Sequence, residues 1–292
     1  MSIDNCLGPS QATRPRLKLP EGAWDTHFHV LGPQARFPYS PTRKYTPPDA
    51  PLAASLRLHD ALGIARGLVV HANTHGYDNA VDLDAVARSN GRYLAVVRLD
   101  GKTTREHCQR LHEQGARGVR FAFNPQHGGE LDKATFDHVL QCIEGLGWFV
   151  ELHFEGAAIP GLFTWLESIR ATVVIDHIGR VDPSLGLDQQ PFGMLCKLMK
   201  KENFWTKISG ADRLTKKGFP YDDVAPFARR LAELAPGRLL WGSDWPHTGI
   251  FEQAKMPDDG KLLDAMHGFF PESMLKKILV ENPERLLNAP AG

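Results

Sequence analysis

Two histidines, His27 and His29, stand two residues apart at the end of the short apolar run Ala-Trp-Asp-Thr-His-Phe-His-Val, residues 23–30. Side chains alternate faces along a strand, so both imidazoles project the same way while Thr26 and Phe28 project the other. Neutral imidazole and carboxylate are good ligands for a divalent ion such as Zn²⁺, and a catalytic ion keeps one position open for water or substrate. Three further residues suit that chemistry: His153 in "ELHFEG", His177 in "VIDHIGR" and Asp244 in "WGSDWPH". With His27, His29 and His153 holding an ion, Asp244 would ligate it weakly or accept the proton of an attacking water. His177 would hydrogen-bond the reacting oxygen. Taken singly, each histidine is read more simply as a hydrogen-bonded structural residue; their grouping carries the functional reading.

That grouping depends on the elements beneath it. Eight short β-branched or aromatic runs recur, at 23–30, 65–72, 92–100, 116–123, 148–155, 171–178, 203–210 and 238–245. Between several of them lie stretches with apolar residues at three- and four-residue spacing, including "AASLRLHDALG", "NAVDLDAVARSN", "TFDHVLQCIEGLG" and "DVAPFARRLAEL". The C-terminal stretch reads as two helices broken near Pro271. Near-continuous apolar strands alternating with helices imply a parallel sheet covered on both faces. Eight such units in 292 residues predict an α/β fold, a closed (β/α)₈ TIM barrel over residues 21–292, after an irregular lead-in over 1–20. An open doubly wound sheet is the alternative, but "HGYDNA" and "GKTTRE" are neither a dinucleotide-binding turn nor a phosphate-binding loop.

In such a barrel, chemistry sits where the strands end. His27 and His29 close strand one, His153 strand five, His177 strand six and Asp244 strand eight; Arg120, Arg180 and Arg213 fall near or just after the ends of strands four, six and seven. Guanidinium is a planar fork for carboxylates and other oxyanions. The three arginines therefore predict an anionic substrate, with Tyr45 and His75 as neutral walls; the simpler reading of each arginine is a salt bridge between loops. Lys and Arg total 34 against 34 Asp and Glu, so net charge gives no reason to expect nucleic acid or an acidic membrane surface. No run approaches the roughly 18 apolar residues of a membrane span. The four scattered cysteines and the lack of an apolar leader favour reduced thiols and the cytoplasm. A homo-oligomer is left open.

The order H-x-H, strand-five His, strand-six His and strand-eight Asp resembles the amidohydrolase superfamily. "DTHFHVLGP", "RKYTPPDAP", "HGYDNA", "RGVRF", "VIDHIGR", "ADRL" and "WGSDWPH" are similar to its branch containing 2-pyrone-4,6-dicarboxylate lactonase, in the same order from about residue 20 to 287. The resemblance implies an enzyme that hydrolyses the ring ester of an anionic lactone in breakdown of aromatic compounds. It carries catalytic roles to His27, His29, His177 and Asp244, and substrate binding to Tyr45, Arg120, Arg180 and Arg213. Two departures shape the expectation. The pyrone dicarboxylate lactonase has tyrosine where this chain has His153 and works without metal; the histidine implies a bound Zn²⁺, as in relatives acting on muconolactone-type and sulfonated lactones. A further arginine of that lactonase is Gln126 here, which favours a lactone with differently placed charge. The alternatives are that metal-independent lactonase activity, a metal-dependent decarboxylase or hydratase of an anionic acid, and a non-catalytic anion-binding barrel.

Overall fold

The computed structural model describes residues 3–123 and 132–288. Strands and helices alternate along the chain. The strands are β1 (Trp24–Phe28), β2 (Arg66–Val70), β3 (Tyr93–Val97), β4 (Ala116–Ala122), β5 (Phe149–His153), β6 (Val173–Ile175), β7 (Phe204–Lys207) and β8 (Leu239–Leu240). The helices between them are α1 (Leu52–Leu62), α2 (Ala80–Arg88), α3 (Arg105–Glu113), α4 (Lys133–Ile143), α5 (Ile159–Ser168), α6 (Gln190–Met199), α7 (Ala211–Leu214) and α8 (Ala225–Leu234). After β8 follow α9 (Asp259–Phe269), α10 (Glu272–Lys276) and α11 (Asn282–Leu287), with the expected break at Pro271, the residue preceding α10. Local chemistry sets several starts: the Asp132 carboxylate accepts from the Ala134 and Thr135 amides at the head of α4, and Asp258 does the same at α9.

All strands are parallel and pair in chain order from β1 to β8. The seam between β8 and β1 is closed by backbone hydrogen bonds. Thr26 N–H donates to Trp241 O at 2.9 Å, Asp244 N–H to His27 O at 2.8 Å, and His29 N–H to Trp245 O at 2.7 Å. The result is the expected (β/α)₈ barrel. Each expected strand is present, but the ladders are shorter than the apolar runs: β6 holds three residues and β8 two.

The barrel interior is layered. Trp24, Leu68, Val70, Val96, Phe149, Val174, Trp205 and Leu240 fill its floor, while a larger apolar layer packs between the strands and the surrounding helices. Side chains two residues further along β5, β6 and β7 point inward again. There the interior turns charged, with Glu151, Asp176 and Lys207. β1 departs from simple alternation: its register on β2 jumps between Asp25 and Phe28. This bulge lets Trp24 sit in the floor and still aims His27 and His29 inward, with Phe28 in the outer layer.

The segment before β1 has almost no regular structure but is tied to the mouth of the barrel. Cys6 N–H donates to Thr46 O at 3.0 Å and Leu7 N–H to Ile250 O at 2.8 Å, while Asp258 and Asp264 on the α9 side accept from Thr13 and Arg16. All four cysteines are unpaired, as expected. Among the described residues no helix is long and apolar enough to cross a membrane.

Candidate active site

The closing seam of the barrel is also where the chemistry collects. The same backbone bonds that join β1 to the segment after β8 set His27, His29 and Asp244 side by side: Asp244 Oδ1 lies 3.6 Å from His27 Nε2 and 3.4 Å from His29 Nε2. Close approach demands a glycine here, because a Cβ on Gly242 would fall 2.4 Å from His27 Cβ and 2.5 Å from its amide nitrogen. Asp25 fastens the seam from below. Its Oδ1 accepts from the amides of His27 and Ser243, both at 3.0 Å, and its Oδ2 from the Ser243 hydroxyl.

His177 joins the group from the other side, its ring 4.8 Å from that of His27, and its Nδ1 is bonded to the Ser209 hydroxyl at 2.8 Å. Donor atoms of His27, His177 and Asp244 lie within 4.8 Å of one another, close enough to share one ion. His153 lines the same cleft, edge-on to His177 with ring centroids 5.6 Å apart. Both Asp244 and His177 have left-handed backbones, with φ of 62° and 52°. Non-glycine residues in that region are held there only by their surroundings and cluster at functional sites.

Protonation suits ligation. Burial drives His27 and His153 well below the usual histidine range, and His177 down to about 4. All three are therefore neutral at pH 7. Burial opposes the Asp244 carboxylate, but the adjoining Arg213 together with His177, His29 and His27 outweighs it and holds the group well below its ordinary range. His29 Nδ1 donates to Val70 O at 2.7 Å, since a carbonyl only accepts, and this fixes Nε2 as the ring nitrogen turned toward Asp244. His27 Nε2 is fully buried and has no hydrogen-bond partner among the described residues. An orphaned ring nitrogen beside a second bare one and a carboxylate is the donor set a divalent ion requires, so the residues fit a metal.

The expected anion contacts surround this set. His29, Tyr45, Arg120, His153, His177, Arg180, Arg213 and Asp244 share one cleft, together with Asn73 and Thr248. Each arginine also has an acidic partner. Arg213 Nε donates to Asp244, Arg180 Nε to Glu155 at 2.9 Å, and Arg120 Nη2 to Asp176 at 3.2 Å. Tyr45 donates to the Thr248 hydroxyl at 2.8 Å. His75 is not brought into the cleft. It lies in the neighbouring pocket between residues 38–45 and 73–78, its Nδ1 3.2 Å from Pro38 O. Gln126 lies outside the described residues.

Three buried ionic residues escaped the sequence reading: Glu151, Asp176 and Lys207. Lys207 Nζ donates to Glu151, lies 3.3 Å from Asp176 Oδ1, and stands 2.9 Å from His27 Nδ1. A signal existed for two of them. Glu151 precedes His153 by two on the same strand face, and Asp176 abuts His177.

Residues 24–289 match the amidohydrolase family. The chain belongs to that family. It is 49% identical over 289 residues to the 4-sulfomuconolactone hydrolase of Hydrogenophaga intermedia, covering 98% of this chain and 95% of that one. It is 40% identical over 284 residues to the 2-pyrone-4,6-dicarboxylate hydrolase of Comamonas testosteroni, covering 94% and 92%. An apo crystal structure of an Agrobacterium tumefaciens protein superposes with a TM-score of 0.84 at 32% identity, covering 95% of this chain and all of that one. The amidohydrolase barrel and its lactonase-like branch, expected from seven short motifs, thus extend over nearly the whole chain.

Proposed function

We propose that this amidohydrolase opens the ring ester of a small anionic lactone, carboxylated or sulfonated, in the catabolism of aromatic compounds. The observation that carries the reading is the orphaned His27 Nε2, set with Asp244 beside a cleft that holds three arginines. His27, His29, His153 and Asp244 would hold one divalent ion, with zinc favoured by the imidazole-rich set. When bound, such an ion polarises a carbonyl and lowers the pKa of water to about 7. Asp244, ionised throughout the neutral range, is in the form that accepts a proton. His177, neutral and oriented by Ser209, hydrogen-bonds the reacting oxygen. Arg120, Arg180 and Arg213 orient the anionic groups, with Tyr45 as a neutral wall. Lactone-hydrolase relatives matched over nearly their whole length, four unpaired cysteines and described barrel elements running from Trp24 to Leu287 support a single barrel domain over residues 21–292 in a cytoplasmic enzyme.

The test pairs metal analysis with a panel of muconolactone, sulfomuconolactone, pyrone dicarboxylate and sugar lactones, with and without chelator. Purified protein is expected to carry about one ion per chain, and His153→Ala to lose ion and turnover together. A fully active, metal-free protein would return the mechanism to the metal-independent kind. Carbon dioxide release without ring opening would replace hydrolysis by decarboxylation.

A further inference from the structure

Beneath the proposed metal position lies a second set of donors that the reaction does not use. His27 Nδ1, on the ring edge opposite the cleft, is 3.2 Å from Asp176 Oδ1 and 3.5 Å from Glu151 Oε1. These two oxygens have no hydrogen-bond partner among the described residues, and all three side chains are fully buried. Together they form a three-donor cage whose atoms lie within 4.8 Å of one another. Once His27 Nδ1 gives up its proton to solvent, a nitrogen flanked by two carboxylate oxygens has the composition of a divalent-ion site, with the ring bridging as an imidazolate.

The cage already contains a cation. Lys207, with no exposed side-chain surface, reaches in from β7 and brings its ammonium to Glu151, to His27 Nδ1 at 2.9 Å and to Asp176 Oδ1 at 3.3 Å. With His27 Nε2 turned to the cleft ion, Nδ1 carries the ring's one proton toward Asp176 Oδ1, so the ammonium pairs with the two carboxylates and only abuts the ring. Charge closes as well: Lys207 and Arg120 offset Glu151 and Asp176, with Arg120 3.3 Å from Glu151 Oε1 and 3.2 Å from Asp176 Oδ2. Without Lys207 the cluster would keep one uncompensated negative charge out of water, a state proteins relieve by taking up a proton or a cation.

We infer that the His27–Glu151–Asp176 cage is a latent divalent-cation site, and that the Lys207 ammonium is its resident cation and keeps a second metal ion out. This builds on the single-ion reading of the cleft above. It assigns Lys207 the task of keeping the centre mononuclear, with the His27 ring standing between one exchangeable ion and one covalently tethered charge.

The experiment is metal stoichiometry on the full-length protein, with cobalt(II) as probe. Wild type, Lys207→Ala, Lys207→Arg and the double variant Lys207→Ala/Glu151→Gln are dialysed against cobalt(II) and assayed by mass spectrometry, with the visible absorption of the ion as a second readout. Lys207→Ala is expected to bind about one ion more per chain than wild type, with a changed absorption spectrum, whereas Lys207→Arg and the double variant gain none. A folded Lys207→Ala with wild-type stoichiometry overturns the inference. So does a Lys207→Ala that stays insoluble with cobalt(II) present while the double variant is soluble, because no cation then substitutes for the ammonium. Should wild type bind no ion at all, the cleft reading fails, yet a gain of one in Lys207→Ala still upholds the latent site.

Discussion

Arg180 shows how one side chain can be read for substrate charge. Its guanidinium lines the cleft and is steadied by Glu155 at 2.9 Å. A charge-assisted hydrogen bond contributes about 1.5–3 kcal/mol, so Arg180→Ala is expected to raise KM for an anionic lactone roughly tenfold or more. The KM for a neutral sugar lactone should not move; equal losses on both would assign Arg180 to the fold rather than to recognition. At this scale the sequence was legible where residue type and strand end coincided, as for His153, His177 and Asp244. It was silent where a residue type belongs to another story. Lys207 sits in a run that reads as an ordinary strand, and an isolated lysine is almost always solvated. Only the barrel's inward turn reveals that it has no exposure at all.

The elements set those residues in place by leaving regular geometry at the right points. β1 bulges before His27, and the chain turns left-handed at His177 and Asp244. This is why the strands proved shorter than the apolar runs: His29, His177 and Asp244 lie just past the ladders, where the backbone bends over the mouth. Hydrophobic pattern locates a strand well but carries little information on where its last ladder bond falls. The β8–β1 seam makes a prediction of its own. Gly242→Ala would press a methyl onto His27, with contacts of 2.4–2.8 Å to its Cβ, N and Cα. Overpacking of this kind costs about 1–3 kcal/mol. Denaturant unfolding should show that loss, and metal affinity should fall with it because the displaced residue is a proposed ligand. Unchanged metal affinity in a destabilised variant would separate the seam from the site.

Across the whole molecule, eight strand–helix units bring together residues more than two hundred positions apart, from His27 to Asp244. The barrel was legible because its period is strong and its strands are buried on both sides, and the motif order then located the site within it. Since the ion's proposed ligands come from β1, β5 and the end of β8, bound metal should stabilise the barrel as one body. At a free ion concentration about a thousand times Kd, the expected gain is about 4 kcal/mol, or a Tm rise on the order of 5–10 °C over chelator-treated protein. Scanning calorimetry with and without ion checks this; coincident melting curves would count against a native-state metal site.

The irregular stretch ahead of β1 has a practical side. Through Cys6 and Leu7 it is laced to residues 46 and 250, which neighbour the cleft residues Tyr45 and Thr248. Trimming it, or crowding it with an amino-terminal affinity handle, would disturb the rim of the cleft. Kinetic work on this enzyme is therefore best begun with that end left native.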